Sequence, residues 1–114
     1  MSKLLLIPAA WRNAVIAILE SGDKNRIIST ETADRDWNAA FPHAFMFARH
    51  QAMAQALRAD IHGRHIADMR PACDAYEFWF FFDQSRVLGK IGLLPNGKII
   101  IIFSSHIPRK GDSL

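Results

Sequence analysis

Three side chains in the last third of the chain, Arg86, Lys90 and His106, have types suited to one chemistry. An imidazole with an unperturbed pKa near about 6.5 can take or give a proton at neutrality. A guanidinium and an ammonium hold phosphate and offset the negative charge that develops on it. Ser104 adds a hydroxyl donor, Trp79 a surface on which a base can stack, and Arg109 and Lys110 two more cations in the tail. Together these types support cleavage of an RNA backbone by internal transfer, in which the ribose 2′-hydroxyl attacks its own phosphate. That reaction needs a proton acceptor, a proton donor and cations, but neither a metal nor a protein nucleophile. The sequence therefore predicts catalytic roles for His106, Lys90 and Arg86, substrate contacts from Trp79, Ser104, Arg109 and Lys110, and no metal or cofactor.

The elements that must position these residues are three apolar strands. Tyr76 to Phe82 has the aromatic density of a strand, Arg86 to Leu94 is a second, and the run from Lys98 to Ile107 a third. Pro95-Asn96-Gly97 matches a three-residue hairpin loop closed by a left-handed glycine, which pairs Leu94 with Lys98. Counting with period two then sets Lys90 opposite Ile102, Leu88 opposite Ser104 and Arg86 opposite His106. If Gln84-Ser85 is the preceding turn, Trp79 lies beside Lys90, Phe81 beside Leu88 and Asp83 beside Arg86. One face then reads Tyr76, Phe78, Phe80, Phe82, Val87, Ile91, Leu93, Ile99, Ile101 and Phe103, and is the one for helices to cover. The other carries Trp79, Arg86, Lys90, Ser104 and His106 among Leu88, Ile100 and Ile102. The plainer account of that second face is a pair of ordinary ion pairs, Asp83 with Arg86 and Glu77 with Lys90, worth a few tenths of a kcal/mol each.

Upstream, the pattern is helical. Trp11, Ala14, Val15, Ile18 and Leu19 recur at helical spacing between Pro8 and a stop at Ser21-Gly22. After Ser29-Thr30-Glu31 a short helix spans Ala33 to Ala40, until Pro42 breaks it, with Trp37 and Phe41 as anchors. From His43 to about His62 the composition favours one long helix ended by Gly63. Arg64 to Ala75, with Pro71, reads as a loop or a short turn of helix. The fold expected is α+β: one domain over 1–114, with a helical part over 1–72 packed on one face of a three-stranded or slightly larger antiparallel meander, and sheet plus basic tail over 73–114.

Charge is distributed unevenly. Residues 1–83 hold nine Lys/Arg and ten Asp/Glu, whereas 84–114 hold five and one, so the net charge of +3 resides in the hairpin and tail. Such a local excess is what attraction to phosphates requires, although it also serves solubility. Cys73 is the lone cysteine, which excludes an internal disulfide and suits a reducing compartment. No apolar run approaches the roughly 20 residues of a membrane helix. The expected setting is cytoplasmic, with no membrane contact.

Other constellations carry less. Asp60, His62, His65 and Asp68 have metal-ligating side chains but flank a helix end. Cys73 has no activating neighbour in sequence, and His43 and His50 share a helix face that suits solvent or a partner. No phosphate-cradling glycine loop, nucleophile elbow or dinucleotide fingerprint occurs.

On Arg86-Val-Leu-Gly-Lys90 and the segment Ile102 to Lys110, the C-terminal half resembles the small bacterial ribonuclease toxins of the RelE and colicin D type. The likeness is one of architecture: helices first, then an antiparallel sheet with basic and histidine side chains on its open face. It implies a toxin-like endoribonuclease with RNA as substrate and an antitoxin as a protein partner. The residues leave a second reading open, a non-enzymatic plasmid or phage accessory or inhibitor protein that grips nucleic acid or a protein through the same face.

Overall fold

Nine elements order the chain in the computed structural model, which describes residues 4–109 and 112. They are β1 (Leu4–Leu6), α1 (Ala9–Ser21), β2 (Ile27–Ser29), α2 (Glu31–Ala40), α3 (Met46–Leu57), β3 (His62–Ile66), β4 (Asp74–Phe82), β5 (Ser85–Leu93) and β6 (Ile100–His106). The class is α+β, but the sheet among the described residues has six strands in the order β1-β3-β4-β5-β6-β2, in place of a three-stranded meander. It is mixed: β2 runs parallel to β6, while the other pairs are antiparallel. The part over 1–72 is accordingly not helical throughout, since it supplies β1, β2 and β3. Two of those strands have three residues each, too few for a period-two pattern to register, and β3 is the polar run His62-Gly63-Arg64-His65-Ile66 in the stretch read as helix end and loop.

The helices begin and end for local reasons. α1 stops at Gly22, whose φ of 64° is the left-handed geometry that glycine adopts without steric cost. α2 is capped by Thr30, whose Oγ1 accepts from the Ala33 amide at 3.1 Å, and carries Glu31 and Asp34 in its first turn, where the helix dipole favours anions. α3 is shorter than the expected span from His43 to His62. At its start the chain turns after Pro42, with the Ala44 amide donating to Phe41 O at 3.1 Å. At its end buried Arg12 of α1 claims the freed carbonyls, donating through Nη1 to Leu57 O at 3.1 Å and to Ala59 O at 2.9 Å. Its Nε donates to Ile7 O at 3.0 Å, and Nη2 meets the Asp60 carboxylate at 2.8 Å. One guanidinium thus ties the entry to α1, the exit of α3 and the lead-in to β3.

The core lies on the side of the sheet that carries Tyr76, Phe78, Phe80 and Val87. Trp11 of α1 meets the edges of Tyr76 and Phe78 with ring centroids 5.0 and 6.5 Å away, and Trp37 of α2 stacks on Phe80 at 6.2 Å. Met53, Ala54 and Leu57 of α3 complete it. Aromatic pairs at these distances add about 0.5–1.5 kcal/mol each beyond their burial.

Both hairpins depart from the expected register. The turn between β4 and β5 is Asp83-Gln84, not Gln84-Ser85, and both residues have positive φ, 49° and 63°. That pair of conformations is the type I′ two-residue loop, whose twist matches that of the strands. Phe82 therefore pairs with Ser85, Phe81 with Arg86, Trp79 with Leu88 and Glu77 with Lys90. The shift is by two positions, so no side chain changes face.

The turn between β5 and β6 is one residue longer than expected. Leu94 receives Gly97 N–H at 2.8 Å and donates its own N–H to Ile99 O at 2.9 Å, so Leu94 faces Ile99 and not Lys98. Odd slippage reverses faces: Ile100 and Ile102 enter the core, and Ile101 turns to the opposite side with Gly92. A bulge then restores the parity. Ile91 pairs with Ile102, but Lys90 pairs with Ser104, leaving Phe103 as the extra residue. Phe103 reaches over Gly92, where a Cβ would meet its ring and the Cys73 sulfur. Cys73 is thus a packing thiol, and burial pushes its pKa up.

Candidate functional site

Two register errors and a bulge leave the predicted polar residues on one face. Side chains of Trp79, Arg86, Lys90, Ser104 and His106 all project from the side opposite the helix-contacting aromatics, with Leu88, Ile101 and Phe103 between them. Their neighbours are nevertheless not the expected ones. Three strands align as rows: Glu77, Lys90 and Ser104 in one, Trp79, Leu88 and His106 in the next. Arg86 does not face His106. Instead Leu88 does, and Arg86 and Lys90 lie two residues to either side of Leu88, so that His106 has a cation on each diagonal, at about 7–8 Å for such positions.

The local geometry orients several of these groups. Arg86 lies over Trp79 with its guanidinium carbon 4.1 Å from the ring centre, and Phe81 beside it is 69% exposed. The result is a flat cationic and aromatic surface. The expected Asp83–Arg86 and Glu77–Lys90 ion pairs give way to this stack and to a Glu77–Arg64 pair at 3.7 Å. His106 is 9% exposed. Its Nδ1 is 2.9 Å from Ile107 O, and a carbonyl only accepts, so Nδ1 carries the hydrogen and Nε2 holds the lone pair of the neutral ring. Asp112 approaches the same Nδ1 at 3.8 Å.

His106 also lines a cavity of about 240 Å³ between α2 and the end of β6, with Asp36, Ala39, Ala40, Ile107 and Arg109. Here Arg109 donates through Nη2 to Asp36 at 2.6 Å, which holds the guanidinium at the cavity wall. Lys110 lies outside the described residues. Asp36 had no signal in the sequence, because a carboxylate on an exposed helix face is ordinary. A larger hollow of about 420 Å³ is lined by Ala40, Phe41, Pro42, His43, Ala44, Phe82 and Asp83 and gathers no cations.

Beneath β6 lies a second polar cluster, and it corrects the reading of His43 and His50 as one helix face for solvent or a partner: His43 precedes α3, and His50 turns its Nε2 inward to Arg49. Arg49 of α3 is 1% exposed. Its Nη1 donates to Asp34 at 3.0 Å and to Ser105 Oγ at 3.2 Å, and Nη2 contacts Ser29 Oγ at 3.2 Å and His50 Nε2 at 3.1 Å. All four terminal N–H groups are engaged, whereas the buried Nε–H has no partner, and the contacts tie α2, α3, β2 and β6 together. Burial, and then the Arg49 charge, lower the His50 pKa to about 4, with Asp34 opposing. His50 is therefore neutral near pH 7 and accepts through Nε2.

The candidates for metal binding are dispersed: Asp60 is paired with Arg12, and His65 Nε2 meets Asp74 at 3.0 Å. Among the described residues no three His, Cys, Asp or Glu side chains converge, and no helix is long and apolar enough to cross a membrane. Comparison with protein-family models, with curated proteins and with solved structures returns no match, so the functional reading rests on the residues themselves.

Proposed function

We propose that the chain is a toxin-like endoribonuclease that cleaves RNA without a metal on the open face of the sheet. The observation that carries this reading is the orientation of His106: Nδ1 is engaged by its neighbour's carbonyl, Nε2 is left to act, and cations stand on both diagonals. His106 Nε2 takes the proton of the ribose 2′-hydroxyl, the O2′–P bond forms, the P–O5′ bond breaks, and the departing 5′-oxygen takes a proton from solvent. The products are a 2′,3′-cyclic phosphate and a 5′-hydroxyl. Arg86 and Lys90 offset the charge of the phosphorane-like transition state, Ser104 donates a hydrogen bond, and Arg109 and Lys110 meet neighbouring phosphates. Trp79 and Phe81 receive unpaired bases. A neutralising antitoxin is the partner such an enzyme requires in its own cell.

The test is induced expression of wild type and His106→Ala in a bacterial host, with growth and RNA ends followed. Growth arrest with 2′,3′-cyclic phosphate fragments that vanish in the variant is the expected result. Normal growth and intact RNA sink it. The exposure of Phe81 favours the second reading, a non-enzymatic binding module; in that case His106→Ala loses little, because binding is spread over many contacts.

A further inference from the structure

We infer that Ser105 and Arg49 are positioning residues: their buried hydrogen bond selects the bulged register of β6 that puts His106 and Ser104 on the open face. The functional half of this inference rests on the ribonuclease reading above, whereas the structural half does not.

Side chains in a strand alternate, so β6 has two ways to continue past Ile102. In a regular ladder Ser104 would follow Ile102 onto the core side, opposite Gly89, and His106 would face inward opposite Val87. In the observed ladder Phe103 is looped out, Ser105 takes the place opposite Gly89, and Ser104 and His106 face outward. The two adjacent serines make the registers near-equivalents at the core, because either hydroxyl could occupy the inward position. What distinguishes the observed one is the full use of that hydroxyl. Ser105 Oγ donates to Ala33 O of α2 at 3.0 Å and accepts from Arg49 Nη1 at 3.2 Å. Arg49 is itself fixed by Asp34, Ser29 and His50, so its position does not follow the strand. The Nε–H of this buried guanidinium already has no partner, so a second unmet donor on it would be costlier still, and whichever serine its Nη1 holds is the inward one.

Removing the Ser105 hydroxyl therefore hands Arg49 to Ser104 by a one-residue slip and carries His106 off the open face. The experiment compares wild type, Ser105→Ala, Ser105→Thr and the isosteric Ser105→Cys. Cross-strand nuclear Overhauser contacts report whether Gly89 faces residue 105 or 104, and turnover on RNA is separated into kcat and KM. The expected result for Ser105→Ala is a folded protein in which Gly89 faces Ser104 and kcat falls about tenfold or more with KM changed about twofold or less. Ser105→Thr, which keeps the hydroxyl, restores both. Should Ser105→Ala not fold, Ser105→Cys, a weak acceptor of the same shape, gives the same contacts in a part of the population. Unchanged register in Ser105→Ala or Ser105→Cys overturns the inference, as does a shifted register with full kcat. Wild type that does not cleave RNA defeats the ribonuclease reading alone, since the contacts still decide the register.

Discussion

The guanidinium of Arg86 rests on the ring of Trp79, 4.1 Å from its centre. The two come from adjacent strands and are offset by two pair positions, a diagonal on one face, so the stack depends on the Asp83-Gln84 turn that sets their register. A stacked guanidinium keeps its charge and presents a flat surface, which lysine cannot do. Trp79→Ala is expected to weaken binding of a single-stranded RNA about tenfold, the equivalent of losing one base stack. Arg86→Ala should reduce the slope of log affinity against log salt by about 0.7, one phosphate contact on a single strand. Fluorescence anisotropy titrations at several salt concentrations read both. A salt slope unchanged in Arg86→Ala removes Arg86 from the phosphate-binding set.

Phe80 and Phe81 are consecutive, yet Phe80 is fully buried against Trp37 while Phe81 stands in solvent. Truncating Phe80 to Ala opens a core cavity and is expected to cost about 3–5 kcal/mol. Phe81→Ala removes nothing from the core and should change stability by about 0.5 kcal/mol or less. Urea melts of the two variants test which face is buried. Comparable losses would contradict the assignment of faces in β4.

How far the sequence could reach is clearest at β6. Its apolar residues run from Ile99 to Phe103 without alternation, so hydrophobicity does not choose a face, and the loop length before it did not declare itself from Pro95-Asn96-Gly97. Counting from that loop points Ile101 and Phe103 inward, and the structure turns them outward. The polar residues Ser104 and His106 still fell on the expected side, but only because the Phe103 bulge cancels the error in the turn. β4 was legible from its density of aromatic residues and β5 from branched residues set between Arg86 and Lys90. β1 and β2 were not, having three residues each, and the Arg49 tie was invisible because nothing in a helix sequence marks a buried arginine whose partners lie far along the chain. Trp11 and Trp37, by contrast, sit in clear helical patterns and pack as those patterns demand.

Arg12 gives a further test of the fold. Its guanidinium satisfies the carbonyls of Ile7, Leu57 and Ala59, which are at the ends of elements where no helical donor remains. Arg12→Ala leaves all three without that partner and is expected to lower stability by about 3 kcal/mol. Arg12→Lys recovers only part, because an ammonium does not span three acceptors in the plane of a guanidinium. Chemical denaturation measures the loss, and amide exchange should localise it to the C-terminal turn of α3. A loss under about 1 kcal/mol would mean that solvent replaces Arg12 at these carbonyls.

His50 sets an acid limit on stability. In the folded protein its pKa is lowered to about 4 by burial and by the neighbouring Arg49 charge, while an unfolded histidine titrates near its ordinary value of about 6.5. Between those two values the unfolded chain binds the extra proton and the folded one does not, so stability falls as pH drops through that window and levels off below about 4. After allowance for solvent screening at this partly exposed ring, the loss is on the order of 2 kcal/mol. The proton would also remove the Nε2 acceptor from Arg49 and weaken the tie to Ser105. His50→Gln supplies a neutral acceptor that does not titrate, and its stability should be flatter than wild type between pH 6.5 and 4, as read by urea midpoints at closely spaced pH values. Parallel curves for the two proteins would show that His50 does not govern this limb.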